Sequence, residues 1–208
     1  MMKRRDVLAG AAALAALPAL GQTPAPAGPE PAAPVRVTVT TGQGRIVLEL
    51  YPDKAPITVA NFLRYVDMKR YDGSTFYRAS HAPTDPTIGL VQGGLQNDPA
   101  KILKPIAHES TLQTGLKHKD GTISLARRAQ GTATSDFFIC VGEASYLDAD
   151  PKAPGDNAGF AAFGQVVEGM DVVRKILTLP TSATAGSPEM KGEMLQPPVP
   201  IISMRRVS

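Results

Sequence analysis

The residue types that usually carry chemistry are few in this chain, and none has the spacing of a cofactor site. There are three histidines, His81, His108 and His118, and one cysteine, Cys140. A lone cysteine excludes an internal disulfide framework and any Cys-cluster metal site. No Gly-rich loop ends in Lys-Ser/Thr, and no His-Glu-x-x-His is present. Gly93-Gly94 lacks the further glycines of a dinucleotide fingerprint. Asp148, Asp150 and Asp156 share a loop with Gly155, but their spacing is not that of an EF-hand. They read as a solvated turn, and no metal or cofactor is expected. His81 reads as exposed and His118, between Lys117 and Lys119, as a solvated turn residue. His108, before Glu109, suits a structural hydrogen bond, and Cys140 reads as a small buried hydrophobe.

The elements that must position any site are short. Of 208 residues, 19 are Gly and 19 are Pro, which implies many turns. Val35, Val37 and Val39 alternate with polar residues, Thr41-Gly42-Gln43-Gly44 turns, and Arg45–Leu50 alternates again, which is a hairpin signal. Asp53-Lys54-Ala55-Pro56 opens a helix expected over 56–67, with Val59, Phe62, Leu63 and Val66 on one face. Short strands are expected at Ser74–Arg78, Ile88–Gln92, Gly121–Ala126, Asp136–Val141, Phe160–Val166 and Pro200–Val207. In the last, Ile201, Ser203 and Arg205 should share one face and Ile202, Met204 and Arg206 the other. A second helix should follow Gly169, on Met170, Val173 and Leu177. Eight strands and two helices predict a mainly β fold: a closed eight-stranded antiparallel barrel capped by two α-helices. The interior of so small a barrel is filled by side chains, so function belongs on its outer wall or at an end.

The N-terminus reads as an address and a tether. Lys3-Arg4-Arg5-Asp6-Val7-Leu8 resembles a twin-arginine export signal, and the apolar run Val7–Leu20 is shorter than the roughly 20 residues that span a bilayer. Ala19-Leu20-Gly21 has the small residues a signal peptidase reads. Residues 1–21 are therefore expected to be a signal peptide and 22–34 a Pro/Ala-rich linker, since Thr23–Pro34 holds five Pro and four Ala. The folded domain is expected over 35–208. The product would be periplasmic or otherwise exported, with no stable membrane anchor after processing. Loss of residues 1–21 removes Lys3, Arg4, Arg5 and Asp6. The net charge then falls from +3 to +1, 19 basic against 18 acidic residues, which argues against nucleic acid.

Several stretches are unremarkable singly and specific as an ordered set. They are Phe76-Tyr77-Arg78, Gly89-Leu90-Val91-Gln92-Gly93-Gly94, Gly121–Arg127, Thr134-Ser135-Asp136-Phe137-Phe138-Ile139, Tyr146-Leu147-Asp148, and Phe163-Gly164-Gln165-Val166-Val167-Glu168-Gly169-Met170-Asp171. Together they resemble the cyclophilin family of peptidyl-prolyl cis–trans isomerases, from about Val35 to the C-terminus. Lys104-Pro105-Ile106, Glu109 and the 117–127 segment look most like bacterial members. The resemblance implies the eight-stranded barrel already expected and a monomer acting on proline-containing polypeptides. It implies an isomerase of X–Pro bonds in unfolded or flexible exported proteins, assisting their folding. A module that binds proline segments without turning them is the alternative.

That activity breaks no bond. An X–Pro amide is slow because resonance stiffens it, with a barrier of ~18–20 kcal/mol. Catalysis needs an apolar pocket for the ring and donors that favour the twisted amide over the planar one. The resemblance places the catalytic arginine at Arg78 and, at Gln92, the glutamine that hydrogen-bonds the substrate backbone. It places Phe76, Leu90, Phe138, Leu147 and Phe160 around the substrate, Tyr146 at the edge of the groove, and Ala126 with the backbone of Arg127 on the strand an extended peptide would pair with. This sequence departs from the pattern in five places. Ala79–Ile88 looks like an inserted loop, Gly89 and Phe160 stand where an aromatic residue and a histidine are common, and Asp136 replaces a glutamine. Tyr146 replaces a tryptophan, so weak cyclosporin binding is expected.

Overall fold

The structure, a computed structural model, describes residues 32–207. The expected signal peptide and the linker up to residue 31 lie outside the described residues. Among the described residues nine strands form one antiparallel sheet. They are β1 (Val35–Thr41), β2 (Gly44–Leu50), β3 (Thr75–Ala82), β4 (Asp85–Gly94), β5 (Thr122–Leu125), β6 (Phe137–Val141), β7 (Ala161–Glu168), β8 (Thr181–Ser182) and β9 (Met194–Arg206). The order is β1-β2-β7-β5-β6-β4-β3-β9, and β9 returns to pair with β1, so eight strands close into a barrel. The ninth, β8, is a two-residue flap on the start of β9.

Two differences from the sequence reading have clear causes. The last strand begins at Met194 rather than Pro200, because Pro197, Pro198 and Pro200 are exposed within it and pairing there is sparse. Prolines lack the N–H that an inner ladder needs, so they conceal a strand from pattern reading. The expected face alternation also fails: Ile201 and Met204 are both fully buried. Thr40 pairs with Ser203 and Thr41 with Ile201, so Ile202 bulges outward and reverses the parity. The inserted segment is not a loop either. It prolongs β3 and β4 into a longer hairpin whose tip lies between Ala82 and Asp85.

Helix α1 (Pro56–Asp67) matches its expected bounds and buries Val59, Phe62, Leu63 and Val66. Ala55, which precedes it, offers no side-chain cap. Glu109 supplies one from a distance: its carboxylate accepts the amides of Ile57 at 3.1 Å and Thr58 at 2.7 Å. This satisfies orphan donors and places negative charge at the positive end of the helix. A single-turn helix, α2 (Thr111–Thr114), was not expected from the pattern; Ser110 and Gln113 form its capping box. The second long helix, α3 (Met170–Leu177), buries Val173, Ile176 and Leu177. Inside, Phe62 meets the rings of Tyr71, Phe137 and Phe163 at 5.2–5.6 Å between centroids. This aromatic centre makes the barrel a solid support, and chemistry is left to the outer wall.

Candidate active site

Strand register assembles the site. Arg78 on β3 lies opposite Gln92 on β4, Gln92 opposite Phe138 on β6, and Phe138 opposite Ser124 on β5. Directly paired residues project from the same face of a sheet. Period-2 alternation then separates the twin phenylalanines: Phe137 enters the barrel core and Phe138 the outer wall. Arg78 and Phe76 are two apart and should share a face, yet Phe76 is fully buried in the core against Phe137. Tyr77 is the extra residue of a bulge, so Phe76 turns inward while Arg78 stays outside. The expectation that Phe76 touches substrate is thereby corrected.

The bulge gives Tyr77 a use that no motif signalled. Arg78 Nη1 donates to Gln92 Oε1 at 2.9 Å, and Gln92 Nε2 donates to the Tyr77 hydroxyl at 2.7 Å. Gln92 is buried and held at both ends. Burial and the nearby Asp136 carboxylate keep the Tyr77 hydroxyl protonated, its pKa raised far above the ordinary value. On its other edge Arg78 meets Glu193, with Nε and Nη2 each 2.7 Å from Oε2.

Next to this pair lies a separate apolar cluster. Phe138, Cys140, Ala144 and Leu147 are its buried members, and Leu90, Ala126 and Phe160 pack against them. Phe160 stands edge-on to Phe138, with centroids 5.4 Å apart. Tyr146 is 73% exposed at the rim. Every expected pocket residue except Phe76 is therefore gathered on one patch of the wall. Cys140 is buried as expected, its thiol pushed up to about 12 by desolvation, which leaves it inert.

Arg127 does more than border the strand that the resemblance marks for peptide pairing. Its guanidinium donates to both carboxylate oxygens of Asp156, at 2.5 and 3.0 Å, and through Nε to the Gly159 carbonyl at 2.9 Å. It also lies 5.1 Å from the centre of the Phe160 ring. One side chain so pins the loop that carries Phe160. Asp156 is held down at about 2 by that contact. Arg127 borders two depressions. One, of about 300 Å³, is lined by Tyr77, Gln92, Ala126, Asp136, Met190 and Met194 among others. The other, of about 480 Å³, is lined by Tyr146, Asp148, Asp156 and Phe160 among others.

The solvated-turn reading of His118 and Asp148 is corrected. His118 is 1% exposed and lies stacked behind Phe138. Its Nδ1 is 2.7 Å from Asp148 Oδ1 and its Nε2 2.9 Å from the Ser124 hydroxyl. Lys117 and Lys119 flank it in sequence, and the chain turns the imidazole between them inward. The Ser–His–Asp order invites comparison with a hydrolytic relay, but Ser124 is fully buried in β5 and has no path to a substrate. The three residues brace the pocket wall instead. His108 bonds the Ala158 carbonyl at 3.0 Å, and His81 is exposed, both as expected. Asp136 is buried, with one oxygen accepting the Gln96 amide at 2.8 Å and the other unpartnered.

A closed, helix-capped barrel with an arginine–glutamine pair beside an apolar pocket on its outer wall defines a proline-handling barrel of the cyclophilin type. The family model described as cyclophilin type peptidyl-prolyl cis-trans isomerase matches residues 36–206, and the chain belongs to that family. It is 37% identical over 172 residues to a peptidyl-prolyl cis-trans isomerase of Acinetobacter baylyi, covering 81% of this chain and 84% of that protein. It is 36% identical over 144 residues to peptidyl-prolyl cis-trans isomerase B of Escherichia coli, covering 67% and 82%. A cyclophilin type isomerase of Cryptosporidium parvum, crystallised in the presence of the dipeptide Ala-Pro, superposes with a TM-score of 0.65 at 19% identity, covering 83% of this chain and 99% of that one.

Proposed function

We propose that this protein is an exported peptidyl-prolyl cis–trans isomerase that turns X–Pro bonds in unfolded or flexible proteins outside the cytoplasm, with Arg78 as its catalytic residue. The observation that carries the reading is the Arg78–Gln92 pair, fixed in register beside the Phe138 pocket. Leu90, Phe138, Leu147 and Phe160 hold the proline ring. As the amide twists, its nitrogen loses conjugation and gains a lone pair. A fixed guanidinium N–H directed at that nitrogen binds the twisted state better than the planar one, and only such a difference lowers the barrier. No step needs a nucleophile, a metal or a cofactor. One chain supplies every residue of the proposed site, which supports the reading of a monomer.

Export rests on the twin-arginine-like start and the apolar run of residues 7–20, with 22–34 as the tether and 35–208 as the catalytic domain. The binding of proline-containing peptides is supported by the Ala-Pro dipeptide named for the Cryptosporidium relative. The decisive experiment measures cis–trans exchange of a short X–Pro peptide by NMR with substoichiometric protein. Arg78→Ala should slow exchange about one hundredfold, the scale of losing an electrostatic stabiliser. An undiminished rate in that variant, or peptide binding without any exchange in the native protein, would refute the assignment.

A further inference from the structure

The guanidinium of Arg78 is held on two sides, and only one of the holders belongs to the pair described above. Glu193 lies just before β9, 115 residues away in sequence. Its Oε2 accepts from Nε of Arg78 at 2.7 Å and lies at the same distance from Nη2 in an ion pair. Its other oxygen, Oε1, accepts the Ser80 hydroxyl at 2.7 Å, and its backbone carbonyl accepts the Ala79 amide at 2.9 Å. Glu193 is thus stitched to β3 at three consecutive residues. Both side chains are largely sheltered, 20% exposed for Arg78 and 26% for Glu193.

We infer that Glu193, anchored by Ser80, is the positioning residue that orients the Arg78 guanidinium for proline isomerisation. The inference rests on the assignment of Arg78 as catalytic. An arginine has five N–H donors in a rigid plane. Glu193 takes Nε–H and draws Nη2 against the same oxygen as an ion pair, and Gln92 takes one N–H of Nη1. N–H donors remain on both terminal nitrogens after these contacts. A free arginine spreads over many rotamers; this one is held on two sides, by Glu193 and by Gln92. Holding a donor in place before the substrate arrives removes the reorganisation that would otherwise raise the barrier. Of the site residues the carboxylate touches Arg78 and none of the apolar pocket, so its effect belongs in turnover and not in peptide affinity.

The test uses the full chain and separates kcat from KM on an X–Pro peptide. Glu193→Ala should lower kcat about tenfold, with KM within about twofold, measured at a temperature where the variant is fully folded. Glu193→Gln keeps an acceptor for Arg78 and a partner for Ser80, and should retain most of the activity. Ser80→Ala frees one carboxylate oxygen without touching Arg78, and should cost about two- to threefold in kcat. In an Arg78→Ala background, Glu193→Ala should add nothing. A Glu193→Ala kcat equal to or above the native value, with Arg78→Ala impaired, overturns this inference alone. A further loss in the double variant, or a Glu193→Gln no better than Glu193→Ala, does the same. Native turnover in Arg78→Ala overturns the catalytic assignment beneath it.

Discussion

His118 lies nearly flat against Phe138, with ring planes 18° apart and centroids 5.9 Å apart. The imidazole is the rear support of the apolar pocket around Phe138, and Asp148 and Ser124 hold it by its two nitrogens. Whatever moves His118 moves the pocket wall.

Stability should therefore respond to pH through this residue. Burial lowers the His118 pKa below its ordinary 6.5, and the hydrogen bond to Asp148 only partly opposes that. Below pH 6.5 the unfolded chain takes up a proton that the folded chain resists, so stability falls as pH drops through that range. Above it both states are neutral and the residue contributes no slope. Between pH 7.5 and 5, the native protein should lose more thermal stability than His118→Gln, which cannot titrate. Parallel losses in the two proteins would dismiss the idea.

Arg127→Lys separates the clamp from the charge. Lysine keeps the cation but cannot grip both Asp156 oxygens and the Gly159 carbonyl together. The loop bearing Phe160 should loosen, and the peptide KM should rise severalfold with kcat within about twofold. Steady-state kinetics decide it; a change in kcat alone would place Arg127 nearer the reacting amide than the structure does.

The parts of this site that were legible in the sequence are those that periodicity or an ordered motif can mark. Helix α1 and the placing of Phe138, Leu147, Leu90, Phe160, Gln92 and Arg78 on one wall are of this kind. Contacts made by single residues far apart in sequence left no such mark. Glu109 caps a helix some 50 residues away, and Glu193 reaches Arg78 across 115. Bulges defeated parity twice: Tyr77 turned Phe76 inward, and Ile202 put Ile201 and Met204 on the same side. Charged neighbours made His118 look solvated, because composition reports what surrounds a residue along the chain and not what lies above it.

Asp136→Asn should raise stability at neutral pH. One Asp136 oxygen is buried without a partner, and desolvation raises the carboxyl pKa. Between the ordinary carboxylate value and that raised value the unfolded chain ionises first, so stability falls as pH rises through this range, and above it the folded state carries the full cost of a buried charge. Asparagine retains an acceptor for the Gln96 amide and carries no charge. The gain should be about 1 kcal/mol at pH 7 and should shrink towards pH 4, where the aspartate is increasingly neutral in the fold. Urea midpoints at the two pH values test it; an equal or larger gain at pH 4 would exclude the electrostatic cause.

Gly89 separates two explanations of one departure from the family pattern. If it were merely a gap in the pocket, a larger residue would fill it and improve binding. Its place in the sheet argues otherwise. Gly89 pairs with His81 in the β3–β4 hairpin, and a Cβ built there would stand 2.0 Å from the Ser80 carbonyl oxygen. That oxygen is backbone and cannot step aside without spreading the two strands. Ser80 also anchors Glu193, so spreading would reach Arg78. Gly89→Ala should therefore destabilise the protein by about 2 kcal/mol or more and lower kcat as well as thermal stability. Gly89→Phe should be worse, not better. A phenylalanine variant with native stability and a lower KM would restore the gap reading and show that the hairpin yields where this register says it is closed.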